Sequence, residues 1–279
     1  MKMEGNMNKY GLIGEKLSHS LSPTIHNYIF EKMDIDAKYS LYEVENKEMI
    51  LKEIEKNNIK GFNITIPYKE SILDKLDFIS KEAKEIGAIN LVKVIDRKIY
   101  GYNSDYFGIL KMFEKSKVIV KDKICYILGS GGAAKSVIVA LKDLGAKKII
   151  VVTRDLEKNK EALKKKFNWI EVISYDEIET GDIIINTTPV GMYPNVNESP
   201  VDEEIVKKFN IAVDLIYNPK YTKFLELAKK HKLLCVSGLF MLIYQGIKSD
   251  ELWENIKIDE KEVEKLEKLL MLTLNEENL

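Results

Sequence analysis

The sequence predicts an α/β protein in two parts: an N-terminal α/β domain, then a doubly wound parallel sheet, with helices closing the chain. Three observations carry this. Strand-like and helix-like segments alternate along nearly the whole chain. From Lys123 the alternation becomes a regular βαβ pattern, which argues for a parallel sheet. A glycine-rich run beginning at Gly129 joins a buried strand to a helix. At 279 residues the chain has room for about two domains of ~150 residues each.

In chain order, 9–13 reads as a short apolar strand ending at Gly14. Ser22-Pro23 reads as an N-cap followed by proline at the first helical position, opening a helix over 22–33. Residues 37–44 alternate as a strand, 47–57 have helical spacing, and 61–66 form a strand broken by Pro67, with Ile64 and Ile66 turned inward and Asn63 and Thr65 opposite. Helical segments follow at 69–76 and 80–86, then strands 89–95 and 98–102 paired across Asp96-Arg97. Residues 105–114 form a helix leaving this domain, and the basic, turn-like stretch 115–123 marks the boundary. Beyond it come strand 124–128, helix 132–144 with Gly145 as its C′ stop, strand 148–152, helix 157–167, strands 171–174, 182–186 and 211–215, helix 222–231 and strand 233–236. The last forty residues are helical. The expected division is 1–114, 115–238 and 239–279.

Composition narrows the function classes. A hydrophobic content of 45% supports real cores, and a net charge of −1 gives no electrostatic case for a nucleic-acid partner. No run approaches the ~18 apolar residues of a membrane span. Met1 to Asn8 is polar and lacks an apolar signal region, so the chain is expected to be cytoplasmic. Cys125 and Cys235 lie in apolar runs and read as buried strand residues; with His19, His26 and His231 dispersed, no metal site is expected.

Gly129-Ser130-Gly131-Gly132-Ala133-Ala134 fits G-x-G-x-x-G/A between a strand and a helix, the context a dinucleotide site requires. Gly129 permits the tight turn, Gly131 lets backbone approach a pyrophosphate, and Ala134 keeps helix and strand close. The helix N-terminus then receives the phosphates. This half is therefore expected to be Rossmann-like. Its next strand ends Val152-Thr153-Arg154, where an NAD site would place Asp or Glu. Arg154, one of only two arginines in the chain, can pair with a 2′-phosphate, with Thr153 and Lys158 in support. NADP is favoured, although Asp155 could neutralise Arg154 or contact a ribose 2′-OH instead.

In the first domain Ser18-His19-Ser20, if extended, points two hydroxyls to one side, suited to a small anion. Lys69 lies just beyond the strand at Asn63-Ile64-Thr65-Ile66-Pro67. Gly87-Ala88-Ile89-Asn90 and Gly101-Tyr102-Asn103-Ser104-Asp105 complete four polar blocks, each of which alone reads as turn chemistry. Together and in order they resemble the shikimate dehydrogenase family. So do the Gly129 turn, Asn186-Thr187-Thr188-Pro189-Val190-Gly191-Met192, Asp214-Leu215-Ile216-Tyr217 and Gly238-Leu239-Phe240-Met241 through Gln245. The resemblance runs from about Tyr10 to Trp253.

The resemblance implies a substrate domain, an NADP-binding Rossmann domain, C-terminal helices returning to the substrate domain, and reversible reduction of 3-dehydroshikimate to shikimate in aromatic amino-acid biosynthesis. It implies that Ser18 and Ser20 hold the substrate carboxylate, and that Thr65, Asn90, Tyr217 and Gln245 contact the substrate. Lys69 and Asp105 would be the catalytic pair, and Gly129, Ser130, Gly131, Gly132, Ala133, Thr153, Arg154, Lys158, Leu215 and Gly238 would line the cofactor site. An ammonium fits this reaction, since it can stabilise growing charge on the carbonyl oxygen and donate a proton. Departures from the family pattern are Leu91 and Ser104, where Thr is usual, and the Thr153-Arg154-Asp155 loop. The last keeps open a quinate/shikimate dehydrogenase using NAD as well as NADP. A non-catalytic sensor is disfavoured by retention of Lys69 and Asp105, and a methylenetetrahydrofolate-type dehydrogenase does not account for Ser18 and Ser20. The expected partners are the small-molecule substrate and a second copy in a homodimer.

Overall fold

A computed structural model describes residues 7–17 and 20–276, the side chains of 275 and 276 excepted. The chain packs as two compact units. One holds the residues up to Gly108 together with Ile243–Leu269; the other holds Ile109–Leu242 and the residues from Leu270 on.

The first unit is built on a mixed six-stranded sheet. Its strands are β1 (Asn8–Gly14), β2 (Ala37–Glu43), β3 (Ile59–Ile64), β4 (Phe78–Ile79), β5 (Leu91–Ile95) and β6 (Lys98–Tyr102), in the order β2-β1-β3-β5-β6-β4. β1 pairs in parallel with β2 and β3, while β5 runs antiparallel to β3 and β6. Alternate residues of β1 enter separate cores, Ile13 with Phe62, Ile64 and Val92 on one face, and Tyr10 and Leu12 with Phe30, Tyr39 and Trp253 on the other. Burial on both faces explains why these strands read as continuous apolar runs. Helices α1 (Ser22–Lys32), α2 (Glu48–Asn57) and α3 (Lys81–Ile86) complete the connections. The β5–β6 turn has both Asp96 and Arg97 at positive φ, as a two-residue hairpin turn of the mirror type requires.

Three local expectations are corrected here. Helix α1 includes Ser22, and the cap position is Leu21 with no side-chain cap. Ser22 is buried within the helix, and its N–H donates to the Ser20 hydroxyl. No helix forms over 69–76. The Lys69 carbonyl accepts from Ile89 N at 2.8 Å, which withdraws it from a helical ladder, and the segment makes tight turns with one 3₁₀ turn at Leu73–Lys75. β3 ends at Ile64, because the Thr65 carbonyl turns to accept from Tyr68 N at 2.9 Å, and Ile66 is 78% exposed rather than inward.

The second unit carries an all-parallel sheet of β7 (Ile124–Leu128), β8 (Lys148–Val152), β9 (Glu171–Ile173), β10 (Ile183–Asn186), β11 (Ile211–Asp214) and β12 (Leu234–Val236). The spatial order β9-β8-β7-β10-β11-β12 is the 3-2-1-4-5-6 order of dinucleotide-binding sheets. Helices α5 (Gly132–Asp143), α6 (Leu156–Lys166), α7 (Glu203–Val206) and α8 (Lys223–Lys230) connect them. The four residues of α7 are too few to leave a helical period in the sequence. Helices α4 (Ser104–Lys115), α9 (Leu239–Glu254) and α10 (Glu260–Glu276) each have residues in both units. Among the described residues no helix is long and apolar enough to cross a membrane.

Candidate active site

In the first unit the catalytic candidates meet at the start of α4. Asn103 caps this helix: its side-chain oxygen accepts from Tyr106 N at 3.0 Å, and its amide donates to Ala88 O. Asp105 therefore sits in the first helical turn, where the helix dipole favours a carboxylate. Lys69 Nζ donates to Asp105 Oδ2 at 2.6 Å. The other carboxylate oxygen accepts from Asn90 Nδ2 at 2.8 Å, so two donors orient Asp105. The lysine and aspartate side chains are only 19% and 8% exposed, so this is not a solvated surface pair.

Around this pair lies a buried polar net. Asn90 Oδ1 accepts from Ser104 N at 2.6 Å. The Ser104 hydroxyl lies 3.4 Å from Gln245 Oε1, which brings Gln245 of α9 to the same place as Asn90. Thr65 lies half-buried directly after β3, and Ser20 is half-buried just before α1, its hydroxyl accepting from Ser22 N at 3.2 Å. Ser18 lies outside the described residues. Tyr217 belongs to the second unit, in the segment leaving β11. Composition and motifs did not single out Ser249, whose hydroxyl donates to Gln245 O and accepts from Asn63. The available signal was a polar residue inside an otherwise apolar helical stretch.

In the second unit the glycine-rich turn sits where the strand order reverses between β7 and β10, the position at which such sheets bind ligands. Gly129 has φ +107°, and an added Cβ would lie 2.9 Å from Thr187 Oγ1. Gly131 differs: its φ of −79° suits any residue, and beyond its chain neighbours a Cβ there would meet no atom of the described residues within 4 Å. Neither conformation nor packing within the protein calls for glycine at 131. Open space beside the backbone at the N-terminus of α5 is what close approach of a phosphate needs, so the turn fits a dinucleotide pyrophosphate. Ser130 completes this turn, and Gly132 and Ala133 are the first two residues of α5. Leu215 and Gly238 are adjacent, and a Cβ on Gly238 would lie 2.0 Å from Leu215 O.

At the end of β8, Thr153 is buried and accepts from Asn159 Nδ2 at 2.9 Å, while Arg154 is exposed. Asp155 caps α6 by accepting from Lys158 N. Its carboxylate is thereby engaged with its own helix, leaving the Arg154 guanidinium as the outward group.

Asp214, at the end of β11, is fully buried and accepts from Thr222 Oγ1 at 2.6 Å, Ile216 N at 3.0 Å and Asn186 Nδ2 at 3.1 Å. Burial dominates over these bonds and pushes its carboxyl up to about 6. Because the folded value exceeds the unfolded one of 3.8, the native state binds more protons in this window. Stability from this group accordingly falls as pH rises from about 4 to 6. Asp214→Asn, whose amide can donate to Thr222, removes that charge. Its melting temperature relative to the parent should rise between pH 4.5 and pH 7.5. A difference that stays constant with pH would contradict the assignment.

The family model for the shikimate dehydrogenase substrate binding domain matches residues 12–92. A shikimate dehydrogenase (NADP(+)) from Clostridium perfringens is 49% identical over 258 residues, covering 91% of this chain and 94% of that protein. Among solved structures, a chorismate mutase/shikimate 5-dehydrogenase fusion protein from Clostridium acetobutylicum superposes with a TM-score of 0.91 at 46% identity, covering 97% of this chain and 99% of that one. Shikimate 5-dehydrogenase from Thermus thermophilus in complex with NADP(H) and shikimate gives a TM-score of 0.84 at 30% identity, covering 94% and 99%.

Proposed function

The chain belongs to the shikimate dehydrogenase family, and from that premise we infer that it catalyses the reversible NADP-dependent reduction of 3-dehydroshikimate to shikimate. The observation that carries the chemistry is the Lys69–Asp105–Asn90 array, an ammonium held on a part-buried carboxylate that is itself fixed by an amide. Bound NADPH supplies the hydride that adds to the carbonyl carbon. Lys69 stabilises the negative charge that develops on the carbonyl oxygen and transfers a proton to it from Nζ. Asp105 keeps Lys69 pointed at that oxygen and offsets its charge, and the neutral amine regains its proton from solvent. In oxidation of shikimate the same atoms act in reverse.

In this reading Ser18 and Ser20 hold the substrate carboxylate, and Thr65, Asn90, Gln245 and Tyr217 contact the rest of the molecule. Gly129 to Ala133 receive the pyrophosphate, Thr153, Arg154 and Lys158 the 2′-phosphate end, and Leu215 with Gly238 the remainder of the cofactor. The unit up to Gly108 with Ile243–Leu269 is the substrate-binding one, and the parallel sheet is the dinucleotide-binding one. The enzyme works in the cytoplasm. A homodimer belongs to the same reading, supported by the edge strand β2, which exposes Leu41; sedimentation velocity tests it.

Initial rates with shikimate or quinate, each with NADP or NAD, test the assignment. Shikimate with NADP should be the fastest of the four; equal rates with NAD would overturn the cofactor assignment. Arg154→Ala should raise KM for NADP about tenfold or more, as loss of a charge-assisted contact to phosphate implies, and leave KM for NAD nearly unchanged. An equal rise for both cofactors would remove Arg154 from the 2′-phosphate site.

A further inference from the structure

Asn63 takes no part in the mechanism above, yet it is 3% exposed and all of its amide is engaged. Its Oδ1 accepts from Tyr39 OH at 2.9 Å. Its Nδ2 donates one hydrogen to Asn90 O at 3.1 Å and the other to Ser249 Oγ at 2.9 Å. These partners lie on β2, on the residue preceding β5, and on α9, three elements distant in sequence. Each end of the net reaches a different part of the active site. Tyr39 is tied through its backbone to the Asn27 side chain of α1, the helix that opens at Ser22, whose N–H donates to the Ser20 hydroxyl; beyond Asn90 is Asp105 and then Lys69.

We propose that Asn63 is a positioning residue for the reaction, holding the Asn90–Asp105–Lys69 array at a set distance from the Ser20–Ser22 segment. This rests on the reading of Lys69 and Asp105 as the catalytic pair. An amide suits the position because it supplies two donors and an acceptor in one rigid plane. A carboxylate of the same shape cannot donate, and would face the Asn90 carbonyl and the Ser249 oxygen with lone pairs. Because Asn63 is remote from the reacting atoms, its loss should alter geometry more than affinity. A displacement of about 1 Å at reacting groups can slow a step about 10²-fold.

The test uses Asn63→Asp and, as a milder variant, Tyr39→Phe, which removes one hydroxyl and keeps the ring stacked on His26. With enzyme in excess, the single-turnover rate of NADPH oxidation by 3-dehydroshikimate is measured, together with the Kd of shikimate for the cofactor-free protein by calorimetry. As long as folded enzyme stays in saturating excess over the limiting 3-dehydroshikimate, a reduced folded fraction changes neither the amplitude of a single turnover nor its first-order rate. The expected result is a rate more than fivefold slower for Asn63→Asp, and slower in the same direction for Tyr39→Phe, with shikimate Kd within about threefold of the parent. A rate within fivefold for Asn63→Asp overturns the proposal, whatever the amplitude. So does a loss of shikimate affinity that matches the loss of rate, since it would make Asn63 a binding group. Should Asn63→Asp not fold, Tyr39→Phe decides alone, and an unchanged rate overturns the proposal. Parent enzyme without turnover would refute the dehydrogenase reading itself, a separate outcome.

Discussion

Lys69→Ala lowers kcat for 3-dehydroshikimate reduction by about 10² or more, the range expected when a general acid is lost, and changes KM far less. The geometry sets this expectation. Among the described residues the Lys69 ammonium makes one directed bond, to Asp105, and Asp105 is otherwise held by Asn90 and the first turn of α4, so the carboxylate keeps its place when the ammonium goes. In the proposed reading the serine hydroxyls and Gln245 hold the substrate, and that binding would not pass through Lys69. Steady-state kinetics over a range of substrate concentrations check it. A change confined to KM would make Lys69 a binding group and move the proton transfer elsewhere.

His26→Leu costs about 3–5 kcal/mol of folding stability, the usual consequence of leaving a buried carboxyl group without its partner. His26 Nδ1 on α1 lies 2.6 Å from Asp250 Oδ1 on α9, and both side chains are fully buried. The remaining polar atom of each, His26 Nε2 and Asp250 Oδ2, is buried without a hydrogen-bond partner among the described residues, so the pair is each group's main compensation. Burial already pushes the Asp250 carboxyl up despite the favourable imidazole. Since a raised folded-state value favours the neutral acid, the variant's deficit should shrink as pH falls and Asp250 takes up a proton. Urea unfolding at pH 8 and pH 5 measures this. The double variant His26→Leu/Asp250→Leu should recover most of the loss, because exchanging a buried pair for apolar side chains is often near neutral. A single-variant cost below about 1 kcal/mol would show that the pair contributes little.

Much of this protein was legible from local pattern. The βαβ rhythm from Lys123 on, the strand pair joined at Asp96-Arg97 and the stop at Gly145 depend on residues adjacent in sequence, and the structure has them as expected. The errors fall where a distant group competes for a local one. The stretch 69–76 has helix-forming residues, but β-side pairing with Ile89 takes its first carbonyl. Ser22 has the chemistry of a cap, but it is buried inside α1, its N–H held by the Ser20 hydroxyl, with Leu21 at the cap position.

The same division holds for the site. Gly129 and Gly131 announce a phosphate-binding turn by themselves, since a tight turn and a close backbone approach are demands that only glycine meets. Asn63, Ser249, Asp214 and the His26–Asp250 pair carry no such mark. Their meaning is set by partners on other elements, often more than a hundred residues away. The sequence by itself determined the alternation of strands and helices, the dinucleotide turn and the family, because these are written in neighbouring residues. Only the tertiary structure decided how Lys69, Asp105 and Asn90 come together and what holds them there. Hydrogen bonds across elements act over a few ångströms of space, and the spacing of residues along the chain does not encode that distance.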